Sequence, residues 1–376
     1  MKVLLITKTL GKGGAATGAR NLADALRAAG ARVTLCDASA HLRRRPLRAV
    51  RLAERVCERL FHDAETHCMR LGPATFDLEG LFERHRPDVI QLCDVSANTI
   101  RFGDIARVPC PVVHRLSDFW PYHGARHYAQ QPPAAPSGAD RLLRLLAFDG
   151  TCLPDCRVAP SRWLAERLGP GQAEVIHNAV AIPEGVGPRP PHRGPIRLGF
   201  VSGQVMDPRK GFDSLPPFLG ALAAQDRTPV ELHVFGSRPR DGLPEFPVMK
   251  PVWHPPFSRG EIGAVHAQMD ILLCPSRLDN SPNVVTEALA HGVPVIGQRG
   301  TGMDSYITDE TGALVEFHDA SATDHAHFTR EVLRLVGDHA RYSRNALDYA
   351  RTILHPAVIG RRYLALYDHL KSRKSP

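Results

Sequence analysis

Residues 274–295 read CPSRLDNSPNVVTEALAHGVPV. A buried strand ends at Cys274, a polar loop follows, and a short helix runs on to Gly292 and Pro294, which end it ahead of the next apolar run. Ser281 is a suitable N-cap and Pro282 a suitable first helical residue. The backbone amides at the start of such a helix, around Asn283, Val284 and Val285, form an anion site beside a strand end. Glu287 lies one turn further on, and helical side chains tilt toward the N-terminus, so its carboxylate points back to the same place. A carboxylate beside a phosphate-binding helix start commonly accepts hydrogen bonds from ribose hydroxyls. The residues therefore read as a nucleotide site.

Working outward, short β-branched runs alternate with helical patterns along the chain, the signature of parallel α/β units. Strands are predicted at 2–7, 32–36, 88–92, 111–114, 157–159 and 174–177, then at 196–202, 230–235, 270–275, 293–297 and 313–316. Between the first two, Ala19, Leu22, Ala23 and Leu26 recur at helical spacing and Gly30 closes the helix. The stretch at 183–195 is too rich in proline and glycine for a regular element and reads as a linker. These readings divide the 376 residues into an N-terminal domain over 1–182, the linker, a second domain over 196–354 and a C-terminal helix over 355–376. That helix shows one apolar face, made of Ile359, Tyr363, Leu366 and Leu370, and is expected to pack back on the first domain. The stretch at 130–139, QQPPAAPSGA, reads as a mobile loop.

No run of about 20 apolar residues is present, so no transmembrane helix is expected. The first apolar run, Val3 to Thr7, leads into a glycine loop and reads as a strand instead of a signal peptide. Eight scattered cysteines suit a reducing cytoplasm, and the single close pair, Cys152 and Cys156, does not make a zinc site. The net charge of +8 favours an anionic partner without choosing one. Seven arginines lie between Arg43 and Arg59, and Arg48, Arg51, Arg55 and Arg59 share one helical face beside an apolar stripe containing Leu52 and Val56. Two readings stay open: a helix packed on its domain with solvated arginines, or an interfacial helix touching anionic lipid headgroups on the inner face of the membrane.

The 274–295 segment resembles the PSxxEx7E signature of retaining GT-B glycosyltransferases, group 1 (glycosyltransferase family 4). The resemblance implies an α/β fold of GT-B type, two Rossmann-like doubly wound domains facing across a cleft, the second gripping a nucleotide-sugar donor. The second acid of the signature falls on Glu287, which would hold the donor ribose. The first falls on Asp279, here Asp in place of Glu, which would face the donor sugar. Backbone at Ser281, Pro282, Asn283, Val284 and Val285 would line the sugar and diphosphate. The stretch 203–213, GQVMDPRKGFD, carries Lys210 at the position of the lysine that neutralises the donor diphosphate. The arginine usual five residues earlier is Val205, and Arg209 is the neighbouring substitute.

In the first half, the loop GKGGAATGAR at 11–20 resembles the glycine loop through which such enzymes approach the donor sugar or the acceptor, with Gly13 and Gly14 in that place. It departs from a dinucleotide GxGxxG loop, and Asp37 gives that alternative little support. The stretch 112–128, VVHRLSDFWPYHGARHY, resembles a segment of the subset that builds bacterial surface polysaccharides. Asp118, Trp120, Pro121, Gly124, His127 and Tyr128 match, while the histidine placed against the donor sugar is Ser117. His114 or His123 could stand in for it, and Trp120 and Tyr128 are sugar-stacking or core aromatics.

The resemblance thus implies a metal-independent and cofactor-free transferase whose nucleotide-sugar, most often a UDP-sugar, is a substrate. Transfer to a glycan, a lipid-linked acceptor or another hydroxyl would proceed with retention. Lys210, Asp279 and Asp118 would act at the reacting centre, and nucleic acid is not an expected partner. A sugar-nucleotide 2-epimerase and a non-catalytic glycan- or nucleotide-binding relative are the alternatives, the second favoured by Ser117 and Asp279.

Overall fold

The structure, a computed structural model, describes residues 1–11, 13–40, 52, 56, 76–96, 99–100, 102–120, 122, 153–225, 229–239 and 242–374. The chain divides into two compact units, Met1–Ala179 with Pro356–Pro376, and Val180–His355. The arginine-rich segment 43–59, the 130–139 stretch, Pro121, His123, Gly124, His127, Tyr128 and Cys152 lie outside the described residues, save that Leu52 and Val56 are helical and exposed (58% and 47%).

The first unit holds a parallel sheet of β1 (Lys2–Thr7), β2 (Arg32–Asp37), β3 (Val89–Leu92), β4 (Val112–Arg115), β5 (Cys156–Ala159) and β6 (Glu174–Val175), in the order β2-β1-β3-β4-β5-β6. Side chains alternate across a strand, so β1 feeds two cores. Val3 and Leu5 pack with Ala19, Leu22, Ala23 and Leu26 of α1 (Gly14–Ala28), while Leu4 and Ile6 pack with Leu81 and Phe82 of α2 (Leu78–His85). Helix α3 (Arg162–Leu168) follows β5.

The second unit holds a parallel sheet of β7 (Ile196–Gln204), β8 (Val230–Ser237), β9 (Val252–His254), β10 (Ile271–Cys274), β11 (Val295–Gln298) and β12 (Gly312–Val315), in the order β12-β11-β10-β7-β8-β9. Its helices are α4 (Leu215–Gln225), α5 (Ile262–His266), α6 (Asn283–Ala290), α7 (Ala322–Gly337) and α8 (His339–Tyr349). The chain winds outward from β7 through β8 to β9, then restarts on the other side of β7 at β10. This is the Rossmann strand order, and its reversal lies between β7 and β10, where such sheets open a crevice at their carboxyl ends. Residues 183–195 fall in this unit. Their prolines preclude a regular element, yet the Arg189 guanidinium donates to the carbonyls of His266 and Met269, and its amide donates to Ser343 Oγ at 2.9 Å.

The final helix, α9 (Pro356–Lys374), packs on α1 in the first unit. A Cβ at Gly360 would lie 2.0 Å from the Ala25 carbonyl oxygen, so only glycine lets the two backbones approach this closely. The buried face is Ile359, Tyr363, Tyr367 and Leu370, with Tyr367 fully buried where Leu366 was expected and Leu366 half-buried. The hydroxyl of Tyr367 donates to Gln91 Oε1 at 2.6 Å, which satisfies its polar end inside the core. Strand β9 was not expected: it has three residues between prolines and too short a pattern to show alternation. Among the described residues no helix is long and apolar enough to cross a membrane.

Candidate functional site

In the second unit the site gathers at the carboxyl ends of β7 and β10. After β7, Asp207 Oδ1 accepts the Arg209 amide at 3.0 Å and caps a tight turn over Pro208–Lys210. Gly211 follows at φ +69°, and a Cβ there would lie 2.1 Å from the Pro275 carbonyl oxygen. The loops leaving the two strands therefore touch backbone to backbone, and the Arg277 amide adds a bond to the Arg209 carbonyl at 2.8 Å. This contact brings Lys210 and Asp279 together across 69 residues, Nζ donating to Oδ2 at 2.7 Å. Burial alone would lower the Lys210 pKa, but the adjacent Asp279 carboxylate outweighs it and the net shift is upward, so the ammonium is kept charged.

Asp279 is buried, and its own carbonyl accepts the Gly302 amide at 2.9 Å. A Cβ on Gly302 would fall 1.7 Å from the Asn280 carbonyl oxygen, so the glycine after β11 clamps the loop. Ser281 is not the cap of α6: its Oγ lies 2.7 Å from the Tyr306 hydroxyl, and Pro282 occupies the N-cap position without a side-chain cap bond. The Val285 amide bonds the Pro282 carbonyl at 3.1 Å, which takes it out of the set expected to meet an anion. The helix start itself lies at Asn283 and Val284.

Glu287, one turn into α6, is half-buried. Burial pushes its carboxyl up to about 7, opposed by the charge of Arg259, and that carboxyl makes no hydrogen bond or ion pair among the described residues. A carboxyl with no partner among the described residues, in a partly desolvated place, suits a ligand that brings hydroxyl donors. Val205 is fully buried with Phe200 and Phe212, so the place expected of an arginine belongs to the core. Arg209 pairs with Asp207, its guanidinium donating to Oδ2 at 2.8 Å, and its charge is felt at Lys210.

The first unit carries Gly13, Gly14, Ser117 and Asp118. Gly13 precedes α1 at φ +120°, Gly14 opens the helix, and its first turn holds no acidic residue. Asp37 accepts the Leu10 amide at 2.8 Å and the Ser39 hydroxyl at 2.6 Å, so it organises the glycine turn and is not held out for a ribose. Ser117 and Asp118 follow β4, where Asp118 Oδ1 accepts the Trp120 amide at 2.9 Å. Trp120 is 5% exposed and belongs to the core. His114 is also a core residue, bonded to Tyr122 and to the Cys93 carbonyl, and burial lowers its pKa to about 4. It cannot stand in for the missing histidine. Sequence reasoning missed Arg115, a buried arginine whose Nε donates to Asn178 Oδ1 at 2.9 Å and whose guanidinium lies against Gly18. Its contacts are distant in sequence, and no local pattern announces them.

Residues 12–182 match the family described as glycosyltransferase family 4, and residues 195–338 match glycosyl transferases group 1. An uncharacterised 41.2 kDa protein in the cps region of Klebsiella pneumoniae is 30% identical over 127 residues, 34% of this chain and 34% of that protein, so the match spans about a third of the relative. Among solved structures, a sucrose-phosphate synthase from Thermosynechococcus elongatus superposes with a TM-score of 0.63 at 16% identity, covering 99% of both chains. The HepE protein of Anabaena, in complex with UDP and glucose, gives 0.60 at 17% identity, covering 98% of this chain and 100% of that one. Both family models are of glycosyltransferases and match successive stretches of the chain, and the solved structures share its fold, two Rossmann-like domains of the GT-B architecture.

Proposed function

We propose that the chain transfers a sugar from a UDP-sugar to a hydroxyl of a glycan or lipid-linked acceptor, with retention at the anomeric carbon. The observation that carries this reading is the meeting of Lys210 and Asp279 at the strand-order reversal, with Glu287 one turn into the helix that starts beside them. Lys210 neutralises the diphosphate, Glu287 takes the ribose hydroxyls, and Asp279 meets the sugar ring. The bond between anomeric carbon and diphosphate oxygen breaks as the acceptor oxygen bonds to the same face. The acceptor proton passes to the departing phosphate oxygen, and the Lys210 ammonium stabilises the charge that gathers there. The reading requires no metal and no cofactor.

Assembly of a surface polysaccharide on the inner side of the membrane is the setting we infer. It is supported by the 112–128 stretch and by the Klebsiella relative named for a cps region. The exposed, helical Leu52 and Val56 support a membrane-surface contact through Arg43–Arg59.

Donor hydrolysis tests the activity. The protein should slowly release UDP from a UDP-sugar, and Glu287→Ala should reduce that release at least a hundredfold. Donor affinity without release would make the chain a binder and refute the enzyme.

A further inference from the structure

Resting on the donor reading above, we propose that Asp279 is the internal counter-ion of Lys210 and that its charge drives the nucleoside diphosphate out once the sugar has been transferred. The two side chains meet at 2.7 Å and are held by loops that cannot easily part. Gly211 lies against the Pro275 carbonyl, the Arg277 amide holds the Arg209 carbonyl, and Gly302 clamps the backbone at Asp279 and Asn280. The neighbouring cations are committed elsewhere: Arg209 pairs with Asp207, and Arg277 pairs with Asp213 through both guanidinium nitrogens at 3.0 Å. Each of those pairs is neutral in sum, so the net balance is one ammonium against one carboxylate, although the Arg209 charge is still felt at Lys210.

An oxyanion hydrogen-bonded to the far side of the ammonium sits within about 5.5 Å of the Asp279 carboxylate, from two hydrogen-bond lengths end to end. At that range in a partly desolvated site the like charges repel appreciably. A sugar-nucleotide offsets the repulsion, because its sugar hydroxyls donate to the carboxylate. A free diphosphate brings more negative charge and no such donors. Asp279 thus disfavours product more than donor, which speeds the clearing of the site between turnovers.

The test is UDP binding by calorimetry at pH 7.5 to the full chain and three variants. Asp279→Asn should bind UDP roughly tenfold more tightly than the natural protein, Asp279→Glu should stay within about threefold of it, and Lys210→Ala should weaken binding at least tenfold. A misfolded variant cannot produce the gain, so tightening is not a structural by-product. Unchanged or weaker UDP binding in Asp279→Asn, with Lys210→Ala weakened, overturns the counter-ion role alone. A natural protein whose UDP binding ignores Lys210→Ala overturns the donor reading and this proposal with it.

Discussion

Replacing Glu287 by glutamine should stabilise the empty protein and cripple its nucleotide binding, and the size of the first effect follows from burial. In the unfolded chain the carboxyl ionises near its ordinary 4.5, whereas in the folded unit burial moves it to about 7. Below 4.5 both states hold the proton and nothing is lost. Between the two values only the unfolded chain has released it, so folding is progressively disfavoured as pH rises, and above 7 the penalty is complete. The two values correspond to a ceiling of about 3.4 kcal/mol. The side chain is half-buried and some water reaches it, so about 1–2 kcal/mol is the realistic gain from a neutral isostere. For a unit of this size that is a rise in Tm of about 2–8 °C. Thermal unfolding of Glu287→Gln and natural protein at pH 8 should show it, and the difference should fade toward pH 4.5. In the same assay UDP should raise the Tm of the natural protein and barely that of the variant. A variant equally stable at pH 8, or stabilised alike at both pH values, would refute the claim that burial disfavours the Glu287 carboxylate in the empty protein.

Two further substitutions probe the frame around that site. Val205→Arg restores the residue usual at that position in similar transferases but puts an unpaired charge into the core. Loss of soluble protein or a Tm fall of more than about 10 °C is expected, with no gain in UDP affinity. Gly302→Ala must move the loop at Asn280, costing about 3 kcal/mol by thermal unfolding and weakening UDP binding with it; a variant of natural stability would show that the loop yields freely.

Most of the scaffold was legible because parallel strands buried on both faces read as apolar runs, and β1, β7, β10 and β11 fell within two residues of their expected bounds. Strand β9 escaped, since three residues between prolines carry no periodicity. At the site, local signals singled out residues that the fold brings close together, but misjudged their partners. Ser281 has the chemistry of a cap, yet a hydroxyl 25 residues later claims it. Arg209 looked like a spare cation, yet the aspartate two places before it takes the charge. Lys210 and Asp279 were each singled out, but their meeting depends on Gly211 pressing against Pro275, a contact between loops that no spacing along the chain encodes. Trp120 was open to either core or ligand and His114 was a candidate stand-in; Trp120 falls in a buried cluster with Phe102, and His114 packs edge-on to Phe102 and bonds Tyr122.

Because α9 completes the unit that begins with β1, that unit cannot finish while the ribosome is still making the middle of the chain. The Val180–His355 unit is continuous in sequence and is free to close first, reversing the usual N-terminal-first order. Until Gly360 emerges and seats against Ala25, the apolar side of α1 facing it waits uncovered.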